Sequence, residues 1–354
     1  MVSAVDAHVG SPCRVLLGGV GFTNVPGRTM FEKKRHLEQH GDWLRRLMIR
    51  EPRGMPAQCL NLVLPPIDPA ADIGLIIMEA TDYYPPMSGG NLICVVTVLL
   101  ETGTLPITGA TTVVTVETPA GLVRAVATCA GGRVQSVEVQ NVPSFAVDLD
   151  VPVEVDGIGT VSVDIAYGGM FYVLLPAARL DLALEPEHGA ALAEIGERIK
   201  LAARQQLTVA HPENPEIDKI ESLLWYGPPK DPANSGRNAV VVSTGSIDPD
   251  DRTTWKSVLD RSPCGTGTSA RMAVLRARGE LDVGEAFRHE SVLDLVWTGR
   301  ALSDCTVGQY AAIRPSVSGQ AWISGYATYV LAPDDPFPEG FTVTDLWAPR
   351  ERRE

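Results

Sequence analysis

The sequence predicts a mixed fold of helices and strands, of the α/β or α+β class, built from two related halves. The chain has 354 residues, of which 45% are hydrophobic, so it can bury a large core and is long enough for two domains. Apolar strand-like runs alternate with segments of helical periodicity, and two segments of the first half recur in the second. The predicted domains are residues 1–187 and 188–354, and we leave open that the terminal segment packs back on the first.

The predicted strands are short apolar runs bounded by turn residues. They cover residues 14–17, 60–64, 73–78, 111–116, 161–165, 239–242 and 327–331. Four longer segments place apolar residues every three or four positions, which is the spacing of a helix with a buried face. These predicted helices cover residues 30–48, 89–101, 189–206 and 265–278. The 33 Gly and 27 Pro are spread along the chain, which indicates many tight turns rather than a flexible linker.

The internal repeat is carried by two pairs of segments. PPMSGGNLICVVTVLLETGTL aligns with RSPCGTGTSARMAVLRARGEL and places Ser88 opposite Cys264, about half the chain apart. Further on, YGGMFYVL resembles GYATYVL, which places Tyr172 opposite Tyr329. Chance similarity between two glycine-rich helix starts is the alternative. The two pairs occur in the same order, and this favours duplication.

The charge and hydropathy of the chain argue against several classes of function. With 30 Lys and Arg against 43 Asp and Glu, the formal net charge is −13, so a nucleic-acid partner is not expected. The longest apolar run, residues 92–100, falls far short of the roughly 20 residues that cross a bilayer. The first residues lack a basic segment followed by an apolar one, so we expect no signal peptide, no membrane contact and a cytoplasmic location.

Neither a metal nor an organic cofactor is predicted. The six Cys and six His are scattered, without CxxC, HxH or HExxH spacing, so we expect no zinc site and no disulfide framework. GTGTSA at residues 265–270 formally satisfies GxGxxA, but the preceding LDRSPC is not a hydrophobic strand, which argues against a dinucleotide site. The chain also lacks a phosphate-loop GKS or GKT, and no lysine has a context that suits a Schiff base.

Each repeat places a small nucleophilic side chain at the start of a helix, beside glycines. These side chains are Ser88, followed by Gly89 and Gly90, and Cys264, followed by Gly265. Unpaired backbone N–H groups and the positive end of the helix dipole attract anions, so a carboxylate is the expected guest. The same field is expected to lower the pKa of the Cys264 thiol from about 8.5 toward neutrality. Cys264 is therefore a candidate acid or base at working pH.

Two such helix starts suit proton transfer at the α-carbon of a small carboxylic acid. Donors on the carboxylate stabilise the enolate-like charge that forms as the proton leaves. Groups on opposite faces of the substrate permit inversion of the α-carbon. Elimination needs less symmetry, because one group takes the α-proton and another protonates the departing hydroxyl. An unequal pair such as Ser88 and Cys264 is compatible with elimination.

The same motifs resemble those of the proline racemase superfamily, which includes hydroxyproline 2-epimerases and trans-3-hydroxy-L-proline dehydratases. The likeness is strongest in DRSPCGTGTSARMAVL around Cys264 and in MEATDYYPPMSGGNLICVVTVLLETG around Ser88. DAHVGSPCRVLLGG, REPRG, HPENPEI and DPFPEGF resemble further family segments in the same order, so nearly the whole chain is covered. The resemblance implies a cofactor-independent enzyme with the α+β fold of diaminopimelate epimerase. In that fold two pseudo-symmetric domains each wrap a mixed sheet or barrel around a central helix and hold the substrate between them.

The resemblance also implies roles for individual residues. Cys264 matches the second catalytic residue of the family, and Ser88 stands where the racemases have their first catalytic cysteine. Asp260 matches the aspartate that meets the ring nitrogen of the substrate, with an ordinary turn residue as the alternative. The expected substrate-binding residues are Gly89, Gly90, Asn91, Asp260, Gly265 and Thr266.

The sequence departs from the racemase pattern at two places. MCGH becomes MSGG, with Gly90 in place of the histidine, and residues 55–57 replace the HxD that often follows EPRG. These departures argue against free proline as substrate and resemble the subgroup that acts on hydroxyprolines. The preferred interpretation is dehydration of trans-3-hydroxy-L-proline to Δ1-pyrroline-2-carboxylate, with 2-epimerase side activity allowed. One alternative is a 2-epimerase that converts trans-4-hydroxy-L-proline to cis-4-hydroxy-D-proline, and another is a non-catalytic amino-acid-binding protein. The sequence is also compatible with a homodimer.

Overall fold

The computed structural model describes residues 1–19, 24–81 and 84–348. The strands are β1 (Val2–His8), β2 (Pro12–Gly19), β3 (Cys59–Leu64), β4 (Ile73–Met78), β5 (Thr111–Thr118), β6 (Gly121–Ala130), β7 (Arg133–Gln140), β8 (Ser144–Val155), β9 (Gly159–Tyr167), β10 (Phe171–Pro176), β11 (Ile220–Gly227), β12 (Gly236–Ser243), β13 (Ser257–Leu259), β14 (Ala286–Glu290), β15 (Val296–Val307), β16 (Tyr310–Gly319) and β17 (Trp322–Tyr329). The α-helices are α1 (Met30–His36), α2 (Trp43–Ile49), α3 (Gly89–Glu101), α4 (Gly189–Gln206) and α5 (Gly265–Ala277). Within these ranges, no helix combines the length and the apolar character that a membrane-spanning helix needs.

The chain forms two compact units. The first contains the described residues of Met1–Val139, Thr244–Ser246 and the chain from Ser318 onward. The second contains Gln140–Ser243 and Ile247–Val317. Each unit combines mixed strands with a largely buried helix, so the predicted α+β class is confirmed. The division predicted at residues 187 and 188 concerns the sequence repeat and stays a prediction.

The first unit is built on a row of strands around α3. Among the described residues, the strands pair in the order β17, β1, β2, β3, β4, β5, β6 and β7, with parallel pairing only at β2–β3 and β4–β5. Helix α3 lies against β1, β2, β3, β6 and β17, and its residues 91–100 are all buried. Its β-branched run VVTV at 95–98 disfavours an isolated helix, so packing against the strands, rather than intrinsic propensity, stabilises it.

The second unit is built on a closed barrel. In the part of the chain that the structure describes, its eight strands run β8, β9, β10, β11, β12, β14, β15 and β16, and β16 pairs back with β8. The β10–β11 and β12–β14 pairs are parallel, so the barrel is mixed. Helix α5 lies against β8, β9, β10 and β15 and is buried along most of its length. Helix α4 covers β8, β11, β12 and β13 and contributes Leu192 and Ile199 to the core around Trp225.

The predicted helices differ in how well they agree with the structure. Helices α3 and α4 have the predicted bounds, and α5 ends one residue before the predicted end. The prediction of a single helix over residues 30–48 is wrong, because a π-helical turn, Leu37–Gly41, separates α1 from α2. A Cβ at Gly41 would lie 2.6 Å from Leu37 Cδ2, so the wider turn forms where a glycine lets the leucine pack closely.

Candidate active site

Ser88 is the N-cap residue of α3. Its backbone is extended, with φ −150° and ψ 121°, and its side chain makes no capping hydrogen bond to the helix. The first intrahelical bond of this end runs from the Leu92 N–H to the Ser88 carbonyl, at 3.0 Å. The N–H groups of Gly89, Gly90 and Asn91 therefore have no acceptor within the helix, which makes this end suitable for an anion. Ser88 and Gly90 are half-buried, whereas Gly89 and Asn91 are buried.

A series of amide hydrogen bonds fixes the Ser88 hydroxyl. Asn91 Nδ2 donates to Ser88 Oγ at 2.9 Å. The other end of the same amide, Oδ1, accepts from Asn61 Nδ2 at 2.8 Å and from the Cys13 thiol at 3.5 Å. Because Ser88 Oγ accepts a hydrogen bond from Asn91, its own proton is available to a ligand. Asn91 was predicted to bind substrate, and in the structure its side chain positions the Ser88 hydroxyl.

Cys264 is the N-cap residue of α5, and its backbone has the unusual φ of 58° with ψ of 111°. A residue with a Cβ is strained at positive φ, and such strain is often found at functional sites. Gly267 N–H donates to Cys264 Sγ at 3.4 Å, so the sulfur caps the helix. Thr268 N–H donates to the Cys264 carbonyl at 2.9 Å, which leaves the N–H groups of Gly265 and Thr266 without an intrahelical acceptor.

The expected low pKa of Cys264 is wrong. The side chain is only 8% exposed, and burial raises the pKa of the thiol to about 12, with a further increase from the Asp260 carboxylate. Hydrogen bonds from Tyr172, Gly267 and Thr266 lower the pKa but do not outweigh desolvation. The helix N-terminus was expected to have the largest effect on the pKa of the thiol, because the motif does not show that Cys264 is buried. Cys264 is therefore a protonated thiol at neutral pH.

The turn before Cys264 is held from both sides. The Pro263 carbonyl accepts from Asn238 Nδ2 at 3.0 Å and from Thr268 Oγ1 at 2.9 Å. His289 Nδ1 lies 3.0 Å from Asn238 Nδ2 and 2.8 Å from Thr268 Oγ1. Burial lowers the pKa of His289 to about 3, with a smaller contribution from the nearby charge of Arg271. A neutral histidine therefore supports the turn that positions the thiol.

Asp260 belongs to the same turn. Its carboxylate accepts from the Ser262 N–H at 2.9 Å and from Ser262 Oγ at 3.0 Å. Ser262 Oγ in turn accepts from the Cys264 N–H at 3.2 Å. Asp260 thus makes the local contacts of a turn residue. The same contacts place its carboxylate close enough to raise the pKa of the Cys264 thiol.

Within each unit, the predicted site residues converge on one helix start. The first unit brings together Ser88, Gly89, Gly90 and Asn91, and the second brings together Asp260, Cys264, Gly265 and Thr266. In the described part of the chain, no three His, Cys, Asp or Glu side chains are grouped as metal ligands would be.

Comparison with known proteins now identifies the family. A family model described as proline racemase matches residues 4–342. The chain belongs to the proline racemase family. Members of this family are racemases, epimerases or related dehydratases, and this chain is accordingly an enzyme of that class.

Two crystal structures of family members are similar over almost the whole chain. A probable proline racemase from Agrobacterium radiobacter, with bound carbonate, is 36% identical, with 99% of this chain and 98% of that chain covered and a TM-score of 0.89. A hydroxyproline epimerase from Agrobacterium vitis, with bound trans-4-hydroxy-L-proline, is 35% identical, with 98% and 96% covered and a TM-score of 0.89. A PhzF-family phenazine biosynthesis protein from Bacillus anthracis, 14% identical over 93% and 98% with a TM-score of 0.52, shares the fold.

Sequence reasoning missed one contact of this proline racemase family member. Tyr172 lies on β10, and its hydroxyl lies 2.7 Å from Thr266 Oγ1 and 3.6 Å from Cys264 Sγ. The repeat alignment paired Tyr172 with Tyr329, but Tyr329 donates to Asp6 Oδ2 at 3.2 Å in the first unit. The repeat motif YGGMFYVL pointed to the segment that contains Tyr172, but it did not show that this segment contacts Cys264 and Thr266.

Two glycines of that motif explain why the segment can approach α5. A Cβ at Gly168 would lie 2.1 Å from the Thr266 carbonyl oxygen, and one at Gly169 would lie 2.9 Å from Thr266 Cγ2. Asn141 Nδ2 donates to the Gly168 carbonyl at 2.8 Å and to Ser269 Oγ at 2.9 Å. The first turn of α5 is therefore fixed against the β9–β10 connection.

Proposed function

We propose that this enzyme dehydrates trans-3-hydroxy-L-proline to Δ1-pyrroline-2-carboxylate without a cofactor. The observation that carries the proposal is the unequal chemistry of the two helix starts, with a hydroxyl at Ser88 and a thiol at Cys264. Inversion of the α-carbon needs a proton carrier on each face of the ring, and serine is a weak one. Elimination does not need two equal carriers.

The stereochemistry of the substrate supports a single proton carrier. In trans-3-hydroxy-L-proline the hydroxyl and the carboxylate lie on opposite ring faces, so the α-hydrogen and the hydroxyl lie on the same face. One residue on that face can remove the α-proton and then return it to the departing hydroxyl. This arrangement simplifies the sequence-based mechanism, in which two different groups perform these transfers.

Cys264 is the residue to which we assign this role. Its sulfur takes the α-proton, the electron pair left on the α-carbon forms the double bond to C3, and the C3–O bond breaks. The thiol then protonates the leaving hydroxide, which departs as water and regenerates the thiolate. The resulting enamine becomes Δ1-pyrroline-2-carboxylate when C3 gains a proton and the ring nitrogen loses one.

Substrate binding can supply the thiolate that this step requires. The Asp260 carboxylate raises the pKa of Cys264. The secondary ammonium of a bound hydroxyproline would pair with Asp260 and cancel that effect, and its own positive charge would favour the thiolate. We therefore assign Asp260 to the ring nitrogen. The thiol would be activated mainly when the substrate is present.

The helix starts provide the remaining contacts. Free N–H groups at Gly89 and Gly90, and at Gly265 and Thr266, suit the substrate carboxylate and the negative charge that spreads onto it as the α-proton leaves. Ser88, whose oxygen is held by Asn91, donates its proton as a hydrogen bond to the substrate. We assign it a binding role in dehydration and a proton-transfer role only in epimerisation.

The proposal is tested by proton NMR in D2O with trans-3-hydroxy-L-proline and trans-4-hydroxy-L-proline in separate tubes. Loss of the 3-isomer with formation of Δ1-pyrroline-2-carboxylate is the expected result. Deuterium at the α-carbon together with cis-4-hydroxy-D-proline, and no loss of the 3-isomer, would overturn it in favour of a 2-epimerase. No change in either tube would instead favour a non-catalytic amino-acid-binding protein or another substrate.

The 2-epimerase is the second candidate because of one specific observation. The Agrobacterium vitis hydroxyproline epimerase, 35% identical to this chain, has trans-4-hydroxy-L-proline bound. In this alternative, Ser88 and Cys264 would both carry protons. The helix-start and Asp260 contacts would stay the same, so only the product distinguishes the two candidates.

A further inference from the structure

Tyr172 occupies a rigid, enclosed position in the second unit. Strand β10 is paired on both sides, antiparallel to β9 and parallel to β11. Tyr172 faces Ala166 in one pairing and Ser222 in the other, and its side chain is only 1% exposed. The position of the hydroxyl oxygen is therefore set by the barrel, and only its O–H bond can turn.

The hydroxyl forms a triangle with two groups of the α5 start. Tyr172 Oη lies 2.7 Å from Thr266 Oγ1 and 3.6 Å from Cys264 Sγ, and Thr266 Oγ1 lies 3.7 Å from the same sulfur. The Gly267 N–H donates to the sulfur from the helix side at 3.4 Å. Three donor groups thus surround a sulfur that is almost fully buried.

Packing alone does not account for a tyrosine here. The ring belongs to an apolar cluster with Ala166, Leu174, Leu224 and Val274, which a phenylalanine ring would fill equally well. A buried hydroxyl costs free energy unless it is hydrogen-bonded, so its presence indicates a use for its contacts. Those contacts include the sulfur to which we assign proton transfer.

We propose that Tyr172 is a positioning residue for Cys264, because its hydroxyl donates to the sulfur when the sulfur is a thiolate and turns to Thr266 Oγ1 when it is protonated. The inference rests on the proposed role of Cys264 as proton carrier. A hydrogen bond to an anion is stronger than one to a neutral thiol, so the tyrosine stabilises the thiolate selectively. It also fixes the direction of the sulfur lone pair that meets the α-proton.

The test compares Tyr172→Phe with Tyr167→Phe, which removes a buried tyrosine hydroxyl from β9. The first measurement is the rate at which iodoacetamide alkylates Cys264 at pH 9, followed by mass spectrometry of the Cys264 peptide in the ligand-free full chain. The second is kcat and KM for trans-3-hydroxy-L-proline. We expect Tyr172→Phe to slow alkylation about tenfold, since one hydrogen bond to a charged group corresponds to about one pKa unit. We expect kcat to fall by a similar factor with KM nearly unchanged, and Tyr167→Phe to match the wild type.

Alkylation and kcat at wild-type values in Tyr172→Phe would overturn the inference. Equal slowing in Tyr167→Phe would also overturn it, because the effect would then reflect general loosening. If Tyr172→Phe does not fold, Tyr172→Met decides, since a flexible apolar side chain can fill the same space without the hydroxyl: slowed alkylation supports the inference and wild-type alkylation overturns it. Because alkylation needs no substrate, a wild-type protein without dehydratase activity would refute the proposed function and leave this test intact.

Discussion

The starts of α3 and α5 use the same backbone device in two different ways. Both helices have 13 residues and begin at a glycine that follows the N-cap side chain. At α5 the cap is Cys264, whose sulfur accepts a backbone N–H and is surrounded by donors. At α3 the Ser88 side chain does not cap the helix, and its oxygen is held by Asn91. The comparison shows that the α5 end uses one of its N–H groups for its own cap residue, whereas the α3 end leaves all three of its N–H groups for a ligand.

The two ends are also supported differently. Side-chain amides of Asn91 and Asn61 hold the Ser88 end, and neither group titrates in the physiological range. The Cys264 end depends on close glycine packing at Gly168 and on the neutral ring of His289. We therefore expect the Cys264 end to be more sensitive to added volume and to acid.

The largest expected effect distinguishes the two side chains. Cys264→Ala should lower the rate of Δ1-pyrroline-2-carboxylate formation by about 10³-fold or more, because it removes the proton carrier. Ser88→Ala should lower it by only about tenfold, since it removes one hydrogen bond to the substrate. Initial rates measure both, with Cys305→Ala, a half-buried thiol on β15, as the control. Equal losses from the two alanine substitutions would mean that proton transfer is shared.

The next effect concerns packing at the Cys264 end. Gly168→Ala would place a Cβ 2.1 Å from the Thr266 carbonyl oxygen, so we expect a loss of about 2–3 kcal/mol in the free energy of unfolding and a lower kcat. Urea denaturation gives the stability. Gly325→Ala is the matched control, because a Cβ there meets nothing within 4 Å. Similar denaturation midpoints for the two variants would show that the β9–β10 connection can move away from α5 without lowering the free energy of unfolding.

A third effect is acid sensitivity at the same end. The pKa of His289 is about 3 in the folded protein and about 6.5 when unfolded, so only the unfolded chain takes up this proton near pH 5. The contribution of neutral His289 to the free energy of unfolding is fully present above pH 6.5 and is lost as the pH falls toward 3. The loss reaches about 2 kcal/mol at pH 5. Urea denaturation at pH 7 and pH 5 measures the loss, and His289→Gln should show less of it. An unchanged pH dependence in the variant would assign the effect to other groups.

The smallest expected effect makes the two ends more alike. Ser88→Cys supplies a second thiol, so we expect 2-epimerisation relative to dehydration to increase about tenfold with trans-3-hydroxy-L-proline. Proton NMR in D2O separates the products, and Ser88→Ala serves as the control without a proton carrier. A product ratio equal to that of the wild type would show that the chemical difference between the two ends does not determine the reaction.

Several elements were predictable because their signal is local. The bounds of α3 and α4 follow from helical periodicity, and short, mostly apolar runs identified β3 and β4. Strands such as β7 were not predicted, because RVQSVEVQ alternates buried and exposed residues and contains no apolar run. The last predicted strand, residues 327–331, begins five residues after the start of β17 at Trp322 and ends two residues after β17 ends at Tyr329.

The sequence motifs predicted which residues form the site, but not how deeply these residues are buried or which distant side chains contact them. The helix starts at Ser88 and Cys264 follow from glycine placement and the repeat. The pKa of Cys264 could not be predicted, since it depends on burial by strands distant in sequence. Tyr172 was missed for the same reason, because its contact with Thr266 joins residues 94 positions apart.

The path of the chain through the two units has a consequence for biosynthesis. Strand β1 pairs on one side with β2, which follows it directly, and on the other with β17, near the end of the described chain. A ribosome therefore releases residues 9–321 before the second edge of β1 can be paired, and nearly all of the second unit, which is contiguous, lies within that stretch and emerges earlier. During synthesis that open edge is able to pair with other nascent chains. Folding of the first unit thus depends on how quickly translation reaches and releases residues 322–329.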